Sequence, residues 1–118
     1  MPPQVNATLT QVQGAGTVDD WDTPAAAGSV KWSGDADAYY REKLERLADA
    51  GEVNVLVHRT LWIDTRDARD AGLDTDDVLT FTNPAGVSQT AKAIAVAYSE
   101  LDGIPRDLQT TRIDLQPL

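Results

Sequence analysis

The stretch 53–63, VNVLVHRTLWI, restricts the fold of this chain more than any other. Valine, isoleucine and threonine lose side-chain freedom in a helix and pack well on a pleated surface, as do aromatic rings. The stretch predicts one long strand, central in a sheet. Its nearly continuous apolar character implies burial on both faces over part of its length. A strand of that kind needs partners, and the remaining sequence has to supply them.

Four further segments read as strands. Residues 5–13, VNATLTQVQ, alternate roughly and are rich in β-branched residues. Residues 78–82, VLTFT, are followed by the turn Asn83-Pro84-Ala85-Gly86, in which glycine can take positive φ. Residues 87–98 then place Ser88, Thr90, Lys92, Ile94, Val96 and Tyr98 on one face and Gln89, Ala91, Ala93, Ala95 and Ala97 on the other. Alanine favours helix, but the turn supplies 78–82 with a hairpin partner, and 87–98 is read as that partner. Residues 108–116 alternate again and close the sheet.

Residues 36–50 show a different period. Ala36, Tyr40, Leu44, Leu47 and Ala48 recur at spacings of three and four, which predicts an amphipathic helix. Asp35 suits its N-cap, Asp37 its first turn, and Gly51 its left-handed end. Arg41, Lys43 and Arg46, interspersed with Glu42, Glu45 and Asp49, then read as a solvated helix face. Two connections stand out. Residues 14–35 form a long, glycine-rich, aperiodic loop with a short strand near 29–33. Residues 64–77, DTRDARDAGLDTDD, form an acidic link with one helical turn around 68–71. The expectation is a single domain over 1–118. It is mainly β in an α+β arrangement: a small β-barrel or rolled sheet of five to six strands, with one α-helix and a long loop.

Composition limits the functions open to such a domain. With 19 acidic and 10 basic residues the formal charge is −9, which opposes wrapping a nucleic-acid backbone and suits basic partners. The absence of cysteine excludes disulfides, thiolate metal sites and thiol redox chemistry. The opening MPPQVNATLTQVQG lacks the basic and apolar regions of a secretory signal, and no apolar run is long enough to span a bilayer.

Motifs for catalysis are missing. His58 is the only histidine and lies in an apolar strand, where a structural or half-exposed position is expected. A calcium loop starting at Asp67 would have glycine in its sixth place, at Gly72. Arg69, Ala71 and Val78 then occupy positions where acidic ligands belong, so the pattern fails. Nucleophile elbows, phosphate-binding glycine loops and paired-histidine zinc motifs do not occur. The expectation is a protein that is not an enzyme, with no catalytic residues, cofactor or metal.

The tryptophans carry more information. Trp21 sits among Asp19, Asp20 and Asp22 in the long loop, where it either folds back on the core or awaits a partner. Trp32 adjoins a regular element and is read as core, as is Trp62 within its strand.

Taken in order, these features resemble the head-closure, or head-to-tail stopper, proteins of long-tailed bacteriophages. The resemblance runs over roughly 5–115: an opening strand, a long loop ending in KWSGDADAYY, the helix REKLERLADAG, the strand VNVLVHRTLWID, an acidic link into DDVLTF, a hairpin, and TTRIDL as the closing strand. It implies a small barrel whose copies form a ring between the portal-adaptor side and the tail terminator and tube. The implied ring is six-fold or twelve-fold, with six favoured. DNA passes through it without specific binding, and a loop can obstruct the channel. It also implies a virion neck location after synthesis in the host cytoplasm. On this reading the contact or channel-lining residues are Asp19, Asp20, Trp21, Asp22 and Trp32, with Asp64, Asp67, Asp70 and Asp74 from the acidic link. Alternatives are a tail terminator or adaptor of the same neck, and a stand-alone small barrel that recognises a basic peptide or protein.

Overall fold

The computed structural model describes residues 5–18, 24–26, 28–49, 52–99, 101–105 and 108–117. The strands are β1 (Ala7–Gln13), β2 (Thr17–Val18), β3 (Pro24–Ala26), β4 (Val30–Asp49), β5 (Glu52–Asp64), β6 (Val78–Thr82), β7 (Ser88–Ala97) and β8 (Thr110–Pro117). One helix, α1 (Thr65–Ala71), interrupts them. Six strands close an antiparallel barrel in the order β1-β4-β5-β8-β7-β6, with β6 pairing back to β1, while β2 and β3 form a separate two-stranded sheet. The expected mainly β barrel with one helix is therefore present.

The core fills the barrel. Leu9, Val12, Leu61, Ile63, Leu79, Phe81 and Ile113 are fully shielded from solvent. Ala36, Ala38, Ala91 and Ala93 complete the lining. A barrel of so few strands has a narrow interior, and side chains fill it only if small residues alternate with large ones. That steric need explains alanine in strand positions despite its helix propensity.

Bulges bend the strands around this core. β1 shifts register between Leu9 and Gln11 against both neighbours. β7 shifts between Ala93 and Ala95 against β8. The second shift exchanges the two faces of β7. Ala91 and Ala93 point inward before it, Ile94 is exposed at it, and Val96 and Tyr98 pack against the core after it.

The helix lies elsewhere than the period of 36–50 suggests. Residues 36–49 belong to β4, which pairs with β5 from Ala38 opposite Ile63 to Asp49 opposite Glu52. Ala36, Ala38 and Tyr40 alternate inward with period two. Apolar residues at 36, 40, 44 and 48 fit a period of two as well as a helical face, so their spacing did not discriminate. The β-rich partner at 53–63 decides the matter, because tertiary pairing outweighs weak local propensity. The helix is instead α1, within the acidic link. It ends at Gly72, whose φ of +64° gives the left-handed cap. The expected loop 14–35 contains β2, β3 and the first residues of β4.

The antiparallel register gives the barrel two unlike ends. α1 follows β5 and packs beneath the end where β4, β6 and β8 begin. The Lys31 ammonium at that end bonds the Gly72 carbonyl and the Asp77 carboxylate. From the other end the second half of β4 and the first half of β5 extend beyond the sheet as a two-stranded arm. β1 begins opposite Ala38, and β8 pairs with β5 only from Arg59 onward. The arm is about 25 Å long at roughly 3.3 Å per residue.

Candidate assembly interface

The arm leaves the barrel through a local substitute for the missing strand. β1 gives way to Asn6, whose N–H donates to the Ala38 carbonyl at 3.0 Å. The Asn6 side chain continues the ladder by itself. Its Nδ2 donates to the Tyr40 carbonyl at 3.0 Å, and its Oδ1 accepts from the Tyr40 N–H at 2.7 Å. Tyr40 stacks on Phe81 with ring centroids 5.1 Å apart and donates its hydroxyl to Glu42 at 2.6 Å. Burial, then the bond to Glu42, pushes the Tyr40 phenol above its ordinary value. Glu42 also lies 3.6 Å from Arg59 Nε. The root of the arm is therefore held by side chains from four strands or their flanks.

Beyond the root the arm loses its cover. On the face continuous with the barrel interior, Leu44 is 67% exposed and Val55 56% exposed, and Val57 beside them is half-buried. Leu56, on the opposite face, is exposed too. A two-stranded ribbon by itself is marginal in water and needs a third strand or a packed face. The arm has the strand residues for such packing and no cover within the described chain.

A groove of about 970 Å³ opens between the arm and β8. Arg41, Lys43, Arg59 and Arg112 line it against the carboxylates of Glu45 and Asp114, four cations to two anions in a chain of net charge −9. Leu44, Leu56 and Ile94 give it apolar patches. Part of its wall is Trp62, which is half-buried on the outer barrel face and packs on Tyr39 with ring centroids 5.3 Å apart. Trp62 is thus not a core residue as the sequence suggested. Among the described residues of the strand, burial extends to both faces only over 60–63, where Trp62 faces outward and is half-buried.

The helical end has the opposite character. Asp64 closes β5, Asp67 and Asp70 lie in α1, and Asp74 follows it in a turn where its side chain accepts from the Thr75 N–H at 2.8 Å. The structure brings these four sequence-selected aspartates together at one end of the barrel. Burial raises the Asp67 pKa above its ordinary value. Asp64 and Asp70 add to that rise, and Arg66 offsets part of it. Trp32, pairing with Val12, is half-buried against the core. Asp19, Asp20, Trp21 and Asp22 lie outside the described residues.

His58 is exposed in the arm, with Nε2 2.8 Å from Glu45 Oε2. Among the described residues no group of three or more histidine or acidic side chains is placed to hold a metal ion. Sequence reasoning missed the arm because its cations were assigned to a helix. The signal available was the match in length between 38–49 and 52–63 around Ala50-Gly51.

No family model matches the chain, and neither a curated protein nor a solved structure matches it.

Proposed function

We propose that this protein is a structural subunit of the neck of a long-tailed phage, a head-closure ring component that helps retain DNA and dock the tail. The observation that carries the proposal is the β4–β5 arm, a firmly rooted ribbon whose apolar face has no cover within the described chain. A rigid barrel with a projecting arm suits assembly. The barrel needs no further ordering, and the arm contributes apolar area where a neighbour removes it from water. The acidic balance also suits a channel wall along which DNA slides without adhering.

The stand-alone module for basic partners receives less support, since the groove beside the arm is itself basic. Tail terminator and adaptor are the alternatives within the same apparatus. The test is genetic and biochemical. A phage lacking the gene should accumulate separate tails and tail-less heads that lose their packaged DNA, and supplying the protein during assembly should restore DNA retention and joined particles. Normal particles without the gene would refute the proposal. Full heads that accept the protein and then retain DNA without tails would distinguish closure from termination.

A further inference from the structure

The two ends of the molecule match one another in chemistry. The groove beside the arm carries Arg41, Lys43, Arg59 and Arg112 against Glu45 and Asp114, with Glu42 beside Arg59 at 3.6 Å, and so keeps an excess of positive charge. The segment 64–77 carries six aspartates against Arg66 and Arg69, and Lys31 and Lys92 pair with Asp77 and Asp76, which leaves a net −2. Apolar surface accompanies charge at both places. Leu44 and Leu56 are exposed at the groove. At the other end, Leu101 is 61% and Leu108 68% exposed, with Ile104 between them at 43%.

That second apolar patch is a shaped surface. Gln109, only 6% exposed, bonds the Leu101 N–H through its Oε1 and donates Nε2 to the Ile104 carbonyl at 2.9 Å. Thr65 ties the same loop to the first turn of α1. Its N–H donates to the Gln109 carbonyl at 2.8 Å, and its hydroxyl to the Ser99 carbonyl at 3.1 Å. The loop and the acidic helix therefore form one preorganised convex end, and preorganisation lowers the cost of binding.

We infer that the groove beside the arm receives the α1 end of a second copy of this chain, in a head-to-tail contact. The inference rests on the reading of the protein as an assembly subunit and supplies its self-contact. The occupant is a second copy because the convex end carries both the charge opposite to the groove and a matching apolar patch. The two surfaces lie toward opposite ends of one barrel and cannot satisfy each other within a chain. Such a contact is heterologous. Each copy keeps one free groove and one free convex end, so the series either closes as a ring or continues as a filament.

The experiment uses two variants at exposed positions. Lys43→Glu with Leu44→Ser spoils the groove, and Asp70→Lys with Leu101→Ser spoils the convex end. Circular dichroism and thermal melting check that each remains folded. Sedimentation analysis at millimolar protein should show that the unaltered chain associates and that added salt weakens this. Each variant alone should weaken association roughly tenfold or more. Mixed, the two variants should form a one-to-one pair, since one intact groove and one intact convex end remain. A monomeric unaltered chain at that concentration would overturn the inference, as would variants that do not pair when mixed. A symmetric dimer unaffected by either variant would overturn it as well. Attachment of the unaltered protein to phage heads, measured separately, tests the neck reading. Pairing without attachment removes that reading alone, and attachment without pairing removes this inference alone.

Discussion

Asn6 shows how one side chain can set where a strand stops and an arm begins. Its amide satisfies both backbone groups of Tyr40 where β1 no longer reaches. Truncation would leave these partly buried groups to water, so Asn6→Ala should cost about 1–3 kcal/mol and speed amide exchange at the arm root, measured by denaturant titration and hydrogen exchange. Asp67 acts in the opposite sense. Its folded pKa is raised above the unfolded value near 3.8, chiefly by burial and then by Asp64 and Asp70. Such a group contributes fully to stability below the unfolded value, and the contribution is lost as pH rises through the folded one. The ionised carboxylate therefore destabilises the fold at neutral pH. Asp67→Asn should raise the melting midpoint at pH 7, with the gain shrinking toward zero as pH falls below 3.8. The acidic residues of 64–77 were recognisable in the sequence as a group. Their gathering at one barrel end was not, because it depends on a helix that seven residues only weakly announce.

At the scale of elements, the strands that alternate or run densely β-branched were readable. The segments 5–13, 53–63, 78–82, 87–98 and 108–116 overlie β1, β5, β6, β7 and β8. The Asn83 turn also folds as its residues suggest, with Gly86 at φ +79°. β4 was not readable because Leu44 and Ala48 satisfy two periods at once, and helix-forming Arg, Glu, Lys and Leu fill the gaps between them. Only pairing with β5 distinguishes the two, and pairing is not local. α1 is short and depends on its end. Gly72 lies at positive φ, and a Cβ there would meet Lys31 at an ordinary 3.5 Å, so the penalty is one of backbone. Gly72→Ala should therefore lower stability by about 1 kcal/mol, readable as a shift in denaturation midpoint. The arm can be removed as a unit. Replacing residues 44–57 by Asn-Gly deletes none of the buried hydrophobic core found among the described residues, and that dipeptide suits a tight hairpin. Stability should change by less than about 1 kcal/mol while self-association is lost. A collapse of the barrel would show that the arm is structural.

The whole molecule joins a barrel whose six strands close on a filled interior to an arm that the described chain leaves uncovered. The first property gives a rigid body, and the second gives a reason to assemble. In the proposed head-to-tail contact, the basic groove and the acidic helical end would set a direction for assembly from one end of the barrel to the other. The account therefore turns on how many copies attach to one phage particle. The decisive measurement for the proposed neck role is to incubate the purified protein with packaged, tail-less phage heads assembled without it, sediment the heads, and count bound chains per head by quantitative mass spectrometry. The account predicts saturation at a ring number, with about six favoured over twelve, and loss of binding on excision of the arm. Heads that sediment without the protein, or that bind the arm-deleted chain equally well, would contradict it.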